Sequence, residues 1–496
     1  MSRVILIVSM LLSVAVGYAQ KINIGYINPA GVQRGTTTTI TIGGQSIATA
    51  KDVVVSGEGV TAKVIPPTAQ EQQSNRKKKG KKEISDEDNM QIAQTLKVEI
   101  TVAEDAEIGI RDLRVIAANG AGSNRLYFEV GQYADFVESE PNNSVTKANY
   151  IDKLPVSING FVEKSLVARS MMGEGNESES AGKDWFSFDA KRGETIVAHV
   201  KARTFVPFLA DAVPGWFQSV ISLYDESGVE VAYCDDFMLG VDPTIIYSVE
   251  RSGRYLLKIH DSIYRGREDF VYRIDLGVIP FITSIFPLGG ERGESTDVEV
   301  RGVNLAKKPR MSITPADDAD ERMRVRYTQS KLGASNELYF QTQSGLNERV
   351  IDESRTPANT TDDAILIAPD DVINAKIDQP LDVDWYSIDV PDKGGYLFEL
   401  RGRRLGSPID AKLTIYNSFG KMLKKFDDTD DPSEGFMTHH ADPEGLYRFF
   451  GKGRFFIRVS ETQSKGGDEY GYRLRVAPVD PAFNLRIEPS SLSVPQ

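Results

Sequence analysis

Short runs of alternating apolar and polar residues make up most of this chain. In Gly182-Lys183-Asp184-Trp185-Phe186-Ser187-Phe188-Asp189, the aromatic Phe186 and Phe188 alternate with Ser187 and Asp189. In Asp382-Val383-Asp384-Trp385-Tyr386-Ser387-Ile388-Asp389, Tyr386 and Ile388 do the same, continued by Val390. A period of two with one apolar face is the pattern of a half-buried β-strand. The two stretches lie 200 residues apart, and the correspondence persists downstream. Ser252-Gly253-Arg254-Tyr255-Leu256 answers Lys452-Gly453-Arg454-Phe455-Phe456, and Tyr272-Arg273-Ile274 answers Tyr472-Arg473-Leu474. A module of about 135 residues, an ordinary domain size, is therefore predicted twice, over 136–277 and 345–478. Helical periodicity is scarce, and Gly, Pro, Asn and Asp bound the alternating runs. The expected fold is all-β, a set of tandem β-sandwiches arranged as beads on a string.

A second, smaller pattern also occurs twice. Residues 20–132 open with Ile22-Asn23-Ile24-Gly25-Tyr26-Ile27-Asn28-Pro29, continue through Arg34-Gly35 and close with Ser123-Asn124-Arg125-Leu126-Tyr127-Phe128. Residues 279–344 run from Ile282-Thr283-Ser284-Ile285-Phe286-Pro287 through Arg292-Gly293 to Ser335-Asn336-Glu337-Leu338-Tyr339-Phe340. The first copy is longer by an insertion at 66–95. Its basic run Arg76-Lys77-Lys78-Lys79-Gly80-Lys81-Lys82 is followed by acids that nearly cancel it, which is the composition of a solvated loop. Residues 479–496, with Asn484-Leu485-Arg486-Ile487-Glu488-Pro489, read as the opening strand of a further β domain.

The small modules resemble the IPT/TIG immunoglobulin-like domains. The larger modules are similar to the pre-peptidase C-terminal domain, a jelly-roll-like sandwich. That likeness rests on the lead-in Glu138-Ser139-Glu140-Pro141-Asn142-Asn143, the Asp-Trp-aromatic strand, the Asp225-Glu226-Ser227-Gly228 hairpin and the Gly-Arg-aromatic strand. It implies binding or accessory work rather than catalysis, and it implies calcium. Some members of the family hold that ion between an acidic lead-in and the Asp before the aromatic strand. The matching residues are Glu138, Glu140, Asn142, Asn143 and Asp184 in the first large module, with Gly182 where an Asp is usual. In the second, Asp382 and Asp384 match, while Arg355 and Ala358 depart from the lead-in. Carboxylates and amides are the hard oxygen ligands that calcium takes. Turn capping is the alternative role for the same residues.

Met1 to Ala19 has the form of a secretory leader: Arg3, an apolar core from Val4 to Val16, and the small-residue site Gly17-Tyr18-Ala19. Its apolar core is too short to span a bilayer. The expected location is outside the cytoplasm: periplasmic, cell-surface or extracellular. One cysteine, Cys234, rules out an intramolecular disulfide; its strand-like setting predicts burial. A net charge of −13 argues against nucleic acid as a partner.

Four histidines are present, His199, His260, His439 and His440, and neither an H-E-x-x-H helix nor a G-x-S-x-G elbow accompanies them. Trp185 and Trp385 fall on the face opposite the aromatic stripe. There they can form a platform for sugar or peptide, or pack under the preceding linker. Trp216 lies in a segment absent from the second module and is the better candidate for an exposed binding aromatic. The sequence thus predicts an exported, non-catalytic binding or scaffolding protein for extracellular protein or polysaccharide. The alternative is the accessory N-terminal region of a secreted, peptidase-like hydrolase.

Overall fold

The computed structural model describes residues 22–48, 50–66, 92–162, 182–206, 216–238, 240–329, 331–352, 358–429 and 442–479. The leader, the charged run, Val213 to Gly215, Glu353 to Pro357, His439, His440 and the residues from Asp480 onward lie outside the described residues. The described structure is all-β, and its strands group into four sandwiches in succession.

In the first small sandwich, Asn23–Asn28, Thr37–Gln45, Gln94–Val102 and Val60–Ile65 form one sheet. Gly31–Gln33, Leu126–Gly131, Gly109–Ala117 and Ala50–Val55 form the other. The alternation of Thr37 to Ile42 buries Ile40 and Ile42 against Val98, Ile100, Leu113 and Phe128. The Ser-Asn close of the module has a definite task. Asn124 accepts from the Ile24 amide through Oδ1 (2.7 Å) and donates to the Ile24 carbonyl through Nδ2 (2.8 Å). Asn336 holds Ile282 in the second small module in the same way, at 2.7 and 3.0 Å. A side-chain amide thus substitutes for a strand partner and ties the last strand to the first. The Arg-Gly turns place Gly35 and Gly293 at φ +77° and +76°, where a side chain would be strained.

Each large sandwich contains ten described strands, and the strand orders coincide. In the first, one sheet runs Asn149–Ile151, Lys183–Ala190, Gly253–Asp261, Ser219–Tyr224, Glu230–Cys234. The facing sheet runs Thr244–Ser248, Thr195–Lys201, Val271–Gly277, Val156–Phe161, Ala134–Val137. The second copies this with Ile365–Leu366, Val383–Val390, Gly453–Glu461, Ala411–Asn417 and Met422–Phe426 over Glu444–Phe449, Gly394–Arg401, Gly471–Pro478, Asp371–Lys376 and Asn347–Val350. Phe186 pairs with Leu257 and Tyr386 with Ile457, so the 200-residue offset survives as spatial register. Even the surface ion pair Asp189–Arg254 returns as Asp389–Arg454. The hairpin turns are Asx turns: Asp225 Oδ1 accepts from the Ser227 and Val229 amides, and Asn417 Oδ1 from those of Phe419 and Lys421.

A buried arginine sits at the junction of each small module with the large one after it, and in the first pair it bonds both. Arg273 is 0% exposed. Its Nη1 donates to Asp135 Oδ1 (2.7 Å), to Asn159 Oδ1 (2.7 Å) and to the Gly31 carbonyl (3.2 Å), and its Nε lies 2.8 Å from Glu129 Oε2. Arg473 repeats the linker-acid and asparagine contacts with Glu348 at 2.6 Å and Asn374 at 3.4 Å. Asp135 and Glu348 sit on the linker strands Ala134–Val137 and Asn347–Val350, which join the large modules' sheets in parallel. A Cβ on Gly289 would come within 2.1 Å of Arg473 Nη1, so the small module's backbone must be bare where the guanidinium passes. The second small module also docks on its predecessors. Phe281 and Ile279 pack on Tyr133 and Val197, and Gln132 exchanges two hydrogen bonds with the Ala334 backbone.

Removing one partner of a buried pair leaves the others charged and unmatched, which costs about 3–5 kcal/mol. Arg273→Met is therefore expected to lower the unfolding free energy of the chain's first transition in urea by that amount. Adding Asp135→Leu and Glu129→Leu to it should restore much of the loss. Equal stability of wild type and Arg273→Met in urea titrations would contradict the clamp.

Candidate functional site

The inward face of Lys183–Ala190 carries Asp184, Phe186 and Phe188, so an aspartate occupies a position that strand alternation assigns to the core; it is 0% exposed. The lead-in crosses the same end of the sandwich, held by the Trp185 amide donating to the Asn142 carbonyl (3.0 Å). This brings one carboxylate oxygen from each of Glu138, Glu140 and Asp184 within 4.8 Å of one another. Asn142, wholly buried, completes the ring. Its amide group lies 3.2 Å from Glu140 Oε2 and 3.3 Å from Asp184 Oδ1. Asn143 is buried beside it at 5% exposure.

Tyr272 reaches across from the facing sheet and places its hydroxyl 2.8 Å from both Glu138 Oε2 and Asp184 Oδ2. One phenol proton cannot serve two ionised oxygens, so one contact needs a proton on the acid. Burial, with Glu140 adding repulsion, pushes the Glu138 carboxyl from 4.5 up to about 8, although the Phe161 amide and Tyr272 oppose the shift. Three carboxylates this close require either a proton or a cation between them. The donors are all hard oxygens, the set that calcium takes. Glu138, Glu140, Asp184 and the Asn142 amide oxygen would hold the ion, whose charge would replace the proton on Glu138. Gly160 is part of the cradle, because a Cβ there would come within 2.5 Å of Glu138 Oε2 and the Tyr272 hydroxyl.

The departure at Gly182 has a cause. Its φ is +82° and a Cβ would meet the Tyr264 carbonyl at 2.8 Å, so an Asp is not accommodated. The second large module has closed the equivalent space. Ala375 pairs with Tyr472 where Gly160 pairs with Tyr272, and Ala358 supplies the carbonyl that Asn142 supplies in the first copy. Tyr386, in place of Phe186, puts its hydroxyl 2.6 Å from that of Tyr472, which donates to buried Asp384. Asp382 caps its own turn, accepting from the Asp378 amide at 3.1 Å and the Val383 amide at 2.9 Å. Among the described residues, three acids converge in the first copy and not in the second. The expectation that Asp382 and Asp384 share an ion site is corrected accordingly: a phenol pair and a methyl group occupy the position.

The tryptophans divide differently from expectation. Trp216 is not an exposed binding aromatic. It is 6% exposed and packs edge-on against Phe217 and Phe270, with its Nε1 donating to Asp269 at 3.3 Å. Trp185 does face away from the core stripe, but it is only 9% exposed, packed against Tyr224 (ring centroids 5.2 Å apart) with Lys258 over both rings. Trp385 is half-buried and lines an open cleft of about 360 Å³ with Tyr416, Phe456, Arg458, Asn417 and Asp362. Phe419, 92% exposed, stands in the turn at its edge.

The described histidines are structural. His199 bonds Thr244 Oγ1 at 2.9 Å, and burial, aided by Lys201, drives its imidazole down to about 3. His260 is lowered chiefly by burial and stacks on Tyr264 at 4.4 Å. Cys234 is half-buried rather than fully buried, and burial raises its thiol.

No protein-family model matches the chain. A stretch of 120 residues, 24% of this chain and 14% of the relative, is 30% identical to a probable subtilase-type serine protease of Deinococcus radiodurans. The chain therefore spans a small part of that relative's length. Among solved structures, the pre-peptidase C-terminal domain of a Bacillus anthracis collagenase aligns over 26% of this chain and 94% of that domain, with 16% identity and a TM-score of 0.17. The Bacteroides ovatus SGBP-B protein of a mixed-linkage glucan utilization locus, solved with a heptasaccharide, aligns over 87% of this chain and 71% of its own, with 8% identity and a TM-score of 0.15. Overlaps this slight leave the question of a ligand to this chain's own side chains.

A carboxyl raised in the folded state stabilises the fold below its unfolded value and loses that contribution as pH climbs through the folded value. In chelator, wild type should therefore lose thermal stability relative to Glu138→Gln between roughly pH 5 and 8. Calcium should raise the midpoint most at the alkaline end, and Asp184→Asn should abolish the rise. A calcium response unchanged in Asp184→Asn would remove this cluster from consideration as the cation site.

Proposed function

We propose that this chain is an exported, non-catalytic binding protein that presents polysaccharide-binding surfaces on tandem modules of the pre-peptidase C-terminal and IPT/TIG types. The observation that carries this reading is the cleft at Trp385. Three aromatic side chains, an arginine and amide and carboxylate groups meet in an open depression on a sandwich face. That combination stacks a sugar ring on an aromatic plane while polar neighbours bond its hydroxyls. Calcium acts in the first large module as a clasp, fastening the lead-in to the sandwich end. Several weak sites on a stiffened array then act together through effective concentration. Among the described residues no helix is long and apolar enough to cross a membrane.

A second reading makes these modules the accessory region of a secreted hydrolase. The local likeness to a subtilase-type protease is the observation in its favour. The purified chain is expected to cleave neither casein nor glycans under either reading; activity abolished by a single His or Asp substitution would overturn both.

The two equivalent tryptophans provide the decisive comparison. Trp385→Ala is expected to reduce retention on insoluble polysaccharide about tenfold or more with little change in unfolding midpoint. Trp185→Ala should leave retention intact and destabilise its module by about 3–5 kcal/mol, the loss typical of a buried aromatic. Retention unchanged in Trp385→Ala would rule out the cleft as the binding surface.

A further inference from the structure

The two small–large pairs repeat one architecture with different charges at the junction, and the difference points to a ligand. In the first pair, Lys201 Nζ lies between Glu129 Oε1 (2.5 Å) and Asp275 Oδ2 (2.6 Å), beside the Arg273 clamp. The Lys201 ammonium is therefore matched by two carboxylates at once. In the second pair, strand register places Arg401 at the Lys201 position and Arg475 at the Asp275 position. Gln341 pairs with Gly289 as Glu129 pairs with Gly31. Two acids are gone and one, Glu399 at the His199 position, has been gained, while Arg401 replaces an ammonium and Arg475 a carboxylate.

These residues line a cleft of about 400 Å³ with Arg292, Arg473, Glu399 and Glu321, the last accepting from Gln341 at 3.3 Å. Arg401 is matched by Glu399 at 2.5 Å and Arg473 by Glu348 at 2.6 Å. Arg292 donates to the Thr342 hydroxyl at 3.2 Å. Arg475 Nε is buried with no hydrogen-bond partner. Among the described residues neither Arg292 nor Arg475 has a carboxylate within ion-pair distance. A chain with net charge −13 thus gathers four arginines against two lining acids, Glu321 and Glu399, in one recess.

We propose that this cleft binds a negatively charged sugar unit, carboxylate- or sulfate-bearing, of an acidic polysaccharide. Guanidinium forks match such oxyanions bidentately. The neutral side chains on the same walls, Gln341, Thr342, Gln343 and Ser344, donate and accept as sugar hydroxyls require. The inference rests on the polysaccharide-binding reading and specifies the charge of the glycan.

The test is calorimetric titration of the full chain with trigalacturonate, a sulfated trisaccharide and neutral cellotriose, for wild type, Arg475→Gln, Arg292→Gln and Trp385→Ala. An acidic oligosaccharide is expected to bind in a salt-sensitive manner and to lose about tenfold or more in affinity in Arg475→Gln, as for one charged hydrogen-bonding pair. Arg292→Gln should lose affinity in the same direction, and thermal midpoints of both variants should match wild type. Cellotriose binding should respond to Trp385→Ala alone. Acidic affinity equal to neutral affinity, or unchanged in both arginine variants, overturns the proposal while leaving the aromatic cleft standing. Acidic binding that persists when cellotriose binds nowhere removes the aromatic cleft and supports this one. Displacement of trigalacturonate by an equal concentration of polyglutamate would assign the cleft to acidic peptide and overturn the sugar assignment. The two acidic arms show whether carboxylate or sulfate is preferred.

Discussion

A guanidinium with no access to water holds this molecule's plan together. Arg273 and Arg473 each sit where a small module, a linker strand and a large module meet, and each is bonded to all or part of that junction. Desolvating such a group is unfavourable unless its partners are fixed in place. The guanidinium therefore dictates a bare glycine backbone on one side, an acid on the linker strand and an asparagine on the neighbouring strand. Gly31, Asp135 and Asn159 meet those demands in the first pair, and Gly289, Glu348 and Asn374 in the second. The modules follow one another along the chain, but the joints within each pair are set.

Against this shared frame the two copies have diverged at the places where ligands can reach. The acidic cluster of the first copy depends on the missing side chain of Gly160, and the second copy has Ala375 and the Tyr386 hydroxyl there. The aromatic pair Trp185–Tyr224 is covered in the first copy, while its counterpart Trp385–Tyr416, with nearly the same ring spacing of 5.2 Å, borders an open cleft in the second. The junction acids Glu129 and Asp275 give way to Gln341 and Arg475. The clamps remained, while buried Gly160 and Phe186 gave way to Ala375 and Tyr386.

The sequence showed the fold clearly because strand alternation and turn chemistry are local. Phe186 and Phe188, or Tyr386 and Ile388, announce their strands without reference to distant residues. The convergence of Glu138, Glu140, Asn142 and Asp184 was legible too, since the lead-in and the aromatic strand form a recognisable pair. What local pattern cannot convey is who covers whom. Trp216 looked like an exposed aromatic on an extra segment, yet Phe270 and Asp269, more than 50 residues onward, fold over it. Arg273 lies in an ordinary Tyr-Arg-Ile alternation that predicts an outward charge. Its burial is decided by Gly31, 242 positions earlier. The absence of a matching acidic cluster among the described residues of the second copy likewise required strand register, because Ala375 matters only by lying opposite Tyr472.

The linker strands also determine how the chain transmits force. Ala134, where the first large module begins, and Leu276, near where it ends, both lie opposite Val156. In the second, Glu348 and Arg475 both lie opposite Val372. Tension along the polypeptide would thus cross two strand spacings, about 10 Å, and would not run the length of either sandwich. The large modules hang as side lobes off a short tensile axis, so a pull on the array loads the joints first and leaves the lobes' cores unstressed.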